Sequence, residues 1–263
     1  MKKIILVLSL IAIFIGCGKK EAVDSNTLRV GASPSPHAEI LEIIKEDLAK
    51  EGIKLEIIEF TDYVTPNLAL NDGEIDANFF QHVPYLEAFS KDRGLDITSV
   101  GGVFVSPLSL FSNKIKDINE LEVGATIAIP NDPSNGGRAL LILEKVGLIK
   151  LDPNAGLKAS ILDITENPKK INFKEIDAAQ LPRSLQDVDA AFINGNYALD
   201  AGIDPVKDAI LREGKDSPYS NVVAVKTENK DDLKIKALVK ALQSDKVRKF
   251  IVEKYHGIIT PTF

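Results

Sequence analysis

Cysteine occurs once in this chain, at Cys17, and histidine only three times, at His37, His82 and His256. A single thiol excludes an internal disulfide. Three histidines so far apart in sequence give no zinc-type ligand spacing. The chain has no G-x-S-x-G and no H-E-x-x-H, and neither phosphate-loop pattern, G-x-x-x-x-G-K-[ST] or G-x-G-x-x-G, occurs. These gaps count against a hydrolase or a metalloenzyme, so the sequence reads as a non-enzyme without cofactor or metal. Basic residues are outnumbered, 32 Lys and Arg against 38 Asp and Glu, and that sign argues against nucleic acid as a partner. Beyond the first 15 residues no apolar run approaches the roughly 20 residues a membrane-spanning helix needs.

What is present begins with an export signal. Lys2-Lys3, the apolar run Ile4 to Ile15 and Gly16 have the layout of one, and the run is too short for a comfortable span. Residues 1–16 are therefore set aside as a signal peptide. Ile15-Gly16-Cys17 resembles the lipobox at which bacterial lipoproteins are cleaved and acylated on cysteine, with Phe14 where leucine is usual. Cys17 is the expected lipidation site, and the polar residues up to Thr27 the flexible tether. Removing Lys2 and Lys3 leaves 30 basic against 38 acidic residues, a formal charge of −8. An anchored soluble domain without its own membrane span can serve transport only together with other chains.

An apolar fraction of 44% with 27% charged residues suits a globular fold, and the alternation of strand and helix patterns predicts α/β. Leu28–Ala32 reads as a strand, Ser35-Pro36 as a helix opening, and Ala38, Leu41, Ile44 and Leu48 as its buried stripe. Glu46 and Lys50 are spaced for an i,i+4 pair. Lys54–Phe60, apolar enough for a covered parallel strand, and Ile75–Phe80 are the next strands. Thr65-Pro66 and Pro84 open the helices that follow them. Successive β-α units predict parallel sheets with right-handed crossovers. Ile97 to Phe111 is a long extended run suited to crossing between two lobes, and the alternation restarts at Thr126–Pro130. Ser160–Ile164 and Ala190–Ile193 are strand candidates, with helices near Leu181–Gln186 and Tyr197–Ala201, whereas 148–176 is poorly legible. Asn221–Lys226 would cross back, before helices near Asp231–Gln243 and Asp245–Tyr255. The expected division is lobe one over 28–112 and 222–263 and lobe two over 113–221, joined by a two-crossing hinge.

The candidate binding residues sit at junctions where strands end. Asp76-Ala-Asn-Phe-Phe-Gln-His-Val-Pro-Tyr85 places Phe80, His82 and Tyr85 at the carboxyl end of a strand, where ligands bind in open α/β sheets. Tyr63 follows another strand in the same way. Asn131 to Arg138 joins a strand to a helix, and helix-terminal amides beside a guanidinium suit a single carboxylate. Asn194 and Asn196 close a further apolar strand, and Asn221 sits at the second crossing; asparagine amides of this kind hold the polar end of a small molecule.

Taken together, these motifs resemble the methionine-binding lipoproteins of the NlpA type, the substrate-binding components of bacterial methionine ABC importers. The resemblance runs from Cys17 to near the C-terminus. It rests on Gly31-Ala-Ser-Pro-Ser-Pro-His-Ala-Glu-Ile-Leu41, Tyr63-Val-Thr-Pro-Asn67, Asp76 to His82 with Pro84-Tyr85, Pro130 to Arg138 and Ile193-Asn-Gly-Asn-Tyr-Ala198. It implies a type II, two-lobed periplasmic-binding-protein-like fold that closes on L-methionine, and as partners an ABC permease with its cytoplasmic ATPase. Carried over by residue, Tyr63, Phe80, His82 and Tyr85 would surround the thioether, Arg138 would pair with the carboxylate, and Asn194, Asn196 and Asn221 would hold the polar end. A methionine dipeptide or another amino acid is the alternative ligand, and a surface adhesion or signalling lipoprotein or a metal-dependent or hydrolytic enzyme the alternative role. The expected location is the bacterial cell membrane, lipid-anchored, facing the exterior or periplasm.

Overall fold

The computed structural model describes residues 26–214 and 217–263. The expected signal peptide, Cys17 and all of the tether before Asn26 lie outside the described residues. In chain order the elements are β1 (Thr27–Ala32), α1 (Glu39–Lys50), β2 (Lys54–Glu59), α2 (Thr65–Asp72), β3 (Ala77–His82), α3 (Val83–Arg93), β4 (Ile97–Val105) and β5 (Ser109–Phe111). There follow β6 (Thr126–Pro130), α4 (Pro133–Lys145), β7 (Lys150–Leu151), β8 (Ile164–Glu166), β9 (Asn172–Ile176), α5 (Leu181–Ser184), β10 (Ala190–Ile193), α6 (Gly195–Asp200) and β11 (Ala209–Arg212). The chain closes with β12 (Ser220–Lys226), α7 (Leu233–Leu242), α8 (Asp245–Tyr255) and β13 (Thr260–Pro261).

These strands build two mixed sheets. The first has the order β13-β4-β12-β3-β1-β2 and the second β11-β5-β10-β6-β9, with β7 and β8 forming a small separate ribbon. The β-α units pair in parallel, β1 with β2 and β3, and β6 with β9 and β10, whereas the strands next to each crossing are antiparallel. The chain passes between sheets twice, from Val105 to Ser109 and from Arg212 to Ser220. Phe111 pairs with Ala191 in the second sheet and Asn221 with His82 in the first. The changes of sheet thus fall a few residues before the boundaries expected at 112/113 and 221/222.

Each sheet carries its own core. Leu28, Val30, Leu41, Ile44, Leu48, Phe79 and Phe104 meet Leu238, Leu242, Val247 and Ile251 of α7 and α8 on the first. Ile127, Ile129, Leu140, Leu143 and Phe192 fill the second. Each such leucine or isoleucine taken fully from water contributes about 1.5–3 kcal/mol, which fixes both sheets as platforms for the loops at their strand ends.

Local details depart from the sequence reading for identifiable reasons. Proline after Ser35 holds that residue extended (φ −119°, ψ 139°), so Ser35 does not cap a helix and the regular turns begin at Glu39. Lys50 pairs with Asp47 rather than Glu46. Strand β2 is an edge strand in which only Leu55 is buried, not a covered one. The first amides of α2 are capped by Asp62, which accepts from Val64 and Thr65 at 2.8 and 2.7 Å, so Thr65 is already inside the helix. Ser160–Ile164 is a tight 3-10 turn closed by a Ser160–Asp163 capping box, with β8 after it. The helix expected over Leu181–Gln186 keeps only Leu181–Ser184, and that expected over Tyr197–Ala201 starts two residues earlier, at Gly195.

Candidate functional site

Parallel strands deliver their carboxyl ends to one cleft between the sheets. Beyond β1 the chain supplies Pro36 and His37, beyond β2 Tyr63, and the end of β3 supplies Phe80, Gln81 and His82. From the second sheet, α4 follows β6 and brings Asn135 and Arg138, while Asn194, Gly195 and Asn196 follow β10. Tyr85 comes from α3, Ser106 from the first crossing and Asn221 from the start of β12. These residues line non-atom space of about 410 Å³, a figure that includes open solvent at its mouth. All eight expected ligand-binding residues, Tyr63, Phe80, His82, Tyr85, Arg138, Asn194, Asn196 and Asn221, lie in its wall.

One end of the pocket is aromatic. The ring centroid of Tyr63 lies 5.9 Å from Phe80, 5.8 Å from Tyr85 and 4.8 Å from Tyr197. Burial first, then neighbouring acidic charge, pushes the Tyr85 and Tyr197 phenols up, so both remain neutral donors. Tyr85 spends its hydroxyl on the carbonyl of Tyr63 (2.8 Å) and Tyr197 on that of Thr61 (3.2 Å); Tyr85 lines the cavity with Tyr63 and Phe80, and Tyr197 packs behind Tyr63.

The other end is polar and closely wired. Helix α4 starts at Pro133 with Asp132 as its cap, so Arg138 stands inside the helix rather than in a loop before it, and Gly136 and Gly137 are helical. Arg138 is 2% exposed. Its Nε donates to Glu213 at 3.0 Å and its Nη2 to Ser106 O at 2.9 Å and to Glu213, while the Tyr219 ring lies 4.1 Å beneath its Cζ. The Nη1 amino group is the part of the fork that these bonds leave over. A surface arginine is thereby ruled out, yet the guanidinium is shared with a carboxylate of the chain itself.

The asparagines present complementary groups. Asn194 Nδ2 donates to Asn135 Oδ1 at 2.9 Å, and Asn194 Oδ1 is buried without a partner. Asn196 Oδ1 accepts from the Tyr63 hydroxyl at 2.5 Å, and its Nδ2 is likewise buried and unpaired. Asn221 Oδ1 faces His37 Nε2 at 2.9 Å. Burial lowers the His37 pKa to about 4 against the opposing bond to Asn221. Burial, helped by the charge of Arg138, takes His82 down to about 3. Both imidazoles are therefore neutral at pH 7. Buried and unpaired polar atoms of the wall, Asn194 Oδ1, Asn196 Nδ2, His37 Nδ1 and Ser106 Oγ, together with the partly free guanidinium and the cluster of rings, give the pocket both polar and apolar groups for a small molecule that carries both.

Bonds across the cleft join the two sheets. Tyr63 reaches Asn196, Tyr197 reaches Thr61, His82 Nε2 reaches Asn135 Oδ1 at 3.0 Å, and the Ser35 amide donates to Asp200. Gly195 lets α6 approach the crossing, since a Cβ there would stand 2.2 Å from Ser106 Oγ. Asp200 lies near Glu39 and Glu59 of the first sheet's side; burial and then Glu39 raise its carboxyl to about 6. His256 is exposed at the end of α8 and takes no part. Among the described residues no group of three or more His, Cys, Asp and Glu is placed to hold a metal ion, and no helix is long and apolar enough to cross a membrane.

Pro36, His37, Gln81, Ser106, Asn135 and Gly195 join the wall without having been singled out as ligand residues in the sequence. All but Ser106 lie inside motifs already noted, and Gln81, Asn135 and Gly195 stand within three residues of assigned ones. Ser106 had no such signal, because its place depends on where the chain changes sheet.

The NlpA lipoprotein model matches residues 28–263. The probable D-methionine-binding lipoprotein MetQ of Vibrio cholerae is 46% identical over 247 residues, covering 93% of this chain and 91% of that protein. The structure of a nutrient-binding protein from Burkholderia cenocepacia bound to methionine is 48% identical, with a TM-score of 0.87 over 90% of this chain and 100% of that one. An ABC transporter periplasmic substrate-binding protein from Coxiella burnetii is 48% identical, with a TM-score of 0.86 over 89% of this chain and 100% of its own.

Proposed function

The chain belongs to the NlpA lipoprotein family, and from that premise we propose that it captures methionine at a membrane surface and delivers it to an ABC importer. The family is one of substrate-binding lipoproteins rather than enzymes, and its members are held at the membrane by lipid. In this reading Cys17 carries the lipid, and a permease with its ATPase receives the ligand.

The observation that supports the ligand assignment is the meeting, in a single pocket, of a cluster of aromatic rings with buried polar atoms left unpaired, Asn194 Oδ1 and Asn196 Nδ2 among them. The thioether lies against Tyr63, Phe80 and Tyr85, where sulfur–ring contacts contribute about 0.3–1.5 kcal/mol each. The carboxylate meets Arg138 Nη1 and Asn196 Nδ2, and the ammonium meets Asn194 Oδ1. His82 and Asn221 complete the wall. Residues 28–105 with 220–263, and 109–212, act as the two lobes, and the bonds from Tyr63, His82 and Tyr197 hold them shut around the ligand.

Isothermal titration of the chain lacking residues 1–17, refolded from denaturant to strip carried-over ligand, tests this. L-methionine and D-methionine, glycyl-methionine and leucine are the titrants. Saturable one-to-one binding of a methionine enantiomer, tighter than leucine, is expected; binding of the dipeptide alone would move the ligand to peptides, and heat from none of them contradicts the reading.

A further inference from the structure

We propose that Asn135 is a positioning residue that fixes the hydrogen-bond polarity of Asn194 and so makes the pocket demand a ligand with a free ammonium. The inference rests on the methionine reading above and adds to it the group that imposes the selection.

The chain of bonds is anchored at both ends by groups that cannot reverse. At one end, Asp132 is the carboxylate cap of α4 and only accepts; it receives Asn135 N at 2.9 Å, Asn135 Nδ2 at 2.9 and 3.1 Å and Ser134 Oγ at 2.8 Å. At the other end, the Tyr85 backbone N–H only donates, and it gives its proton to His82 Nδ1 at 3.1 Å. His82, neutral, therefore carries its proton on Nε2 and donates to Asn135 Oδ1 at 3.0 Å. Both anchors thus dictate one orientation of the Asn135 amide, nitrogen toward Asp132 and oxygen toward His82 and Asn194.

That orientation decides what a ligand sees. Asn194 Nδ2 is 2.9 Å from Asn135 Oδ1, so the Asn194 carbamoyl must turn its oxygen into the pocket. The oxygen is buried and without a partner, and Asn135 and Asn194 are only 1% and 7% exposed. Turning Asn194 over would set two carbonyl oxygens against each other and bury an unpaired amide. A ligand lacking a donor at that point leaves Asn194 Oδ1 unsatisfied, and a site built to pair such a group rejects the analogue strongly.

The experiment compares L-methionine with 4-(methylsulfanyl)butanoate, which lacks only the amino group, by isothermal titration of three refolded proteins. The parent should prefer methionine by at least about 100-fold. Asn135→Leu, which frees Asn194 to present either face, should narrow that preference at least about tenfold. The exchange Asp132→Asn with Asn135→Asp keeps an acceptor facing His82 and Asn194, and it should restore the preference to within about threefold of the parent. Thermal unfolding of each variant separates this from packing: a merely structural Asn135 lowers the unfolding temperature and leaves the ratio of the two affinities unchanged. Asn135→Leu with an unaltered ratio, or an exchange that fails to restore it, overturns the proposal. A parent that binds neither compound instead removes the methionine reading itself.

Discussion

Replacing Arg138 by methionine probes both the fold and the carboxylate subsite, and the two effects can be separated. The guanidinium is 2% exposed and its partner Glu213 has a side chain only 13% exposed. Removing one member of a buried ion pair leaves the other charge uncompensated, which costs about 3–5 kcal/mol of folding stability. Arg138→Met should therefore lose that much in denaturant unfolding. Adding Glu213→Gln removes the stranded charge and should recover at least about half. Ligand binding should not recover, because the fork that faces the pocket is gone in both variants; losing a buried charged contact weakens binding by about 2–5 kcal/mol, or roughly 30- to 5,000-fold. Titration of the double variant with methionine is the deciding assay. Affinity within about threefold of the parent, in a protein whose stability has recovered, would place the carboxylate elsewhere and refute the reasoning.

Other perturbations follow from the same geometry. His37 and His82 are buried and neutral, with pKa values lowered to about 4 and about 3 from an ordinary 6.5. Because the unfolded chain takes up these protons first, their contribution is complete above about pH 6.5 and falls as pH drops toward 4, by up to about 1.4 kcal/mol per pH unit for each. Unfolding midpoints measured from pH 7 to 4 should decline accordingly, with a shallower slope in His37→Gln; an unchanged slope would contradict the assignment. Asp200 has the opposite sign, since its raised carboxyl disfavours the folded form once ionised. Asp200→Asn should raise the unfolding temperature at pH 7.5, an advantage that fades below pH 6 and is absent near pH 4; a constant advantage would point to packing instead. Gly195→Ala forces a Cβ to within 2.2 Å of Ser106 Oγ and should destabilise by about 1–3 kcal/mol, partly relieved by Ser106→Ala. Equal stability of parent and Gly195→Ala would show that α6 has room to move.

The readability of the sequence varied with the range of the forces involved. Strand β3, the Pro84 opening of α3 and the stripe of α1 were visible because hydrophobic period and proline act locally. The Ile97–Phe111 run also read correctly as a crossing between sheets, since no helix pattern interrupts it. Strand β9 was missed because it is a mostly exposed parallel edge with the sequence Asn-Phe-Lys-Glu-Ile, which carries little apolar signal. The opening of α2, read at Thr65-Pro66, is fixed instead by Asp62, because a carboxylate three residues upstream can reach two amides at once. In the pocket, residue types at strand ends marked the wall, but the pairing of Arg138 with Glu213 was illegible. Those residues are 75 positions apart and meet only where the second crossing folds back. The role of Asn135 was hidden for a similar reason: it depends on His82, from the other sheet.

The most direct test of the central claim is a crystal structure of the refolded chain, lacking residues 1–17, grown with methionine. The account predicts density for one methionine between the sheets, its sulfur among Tyr63, Phe80 and Tyr85, its carboxylate on Arg138 Nη1 and its ammonium on Asn194 Oδ1. Methionine bound elsewhere, or reversed so that its ammonium faces Arg138, would contradict it.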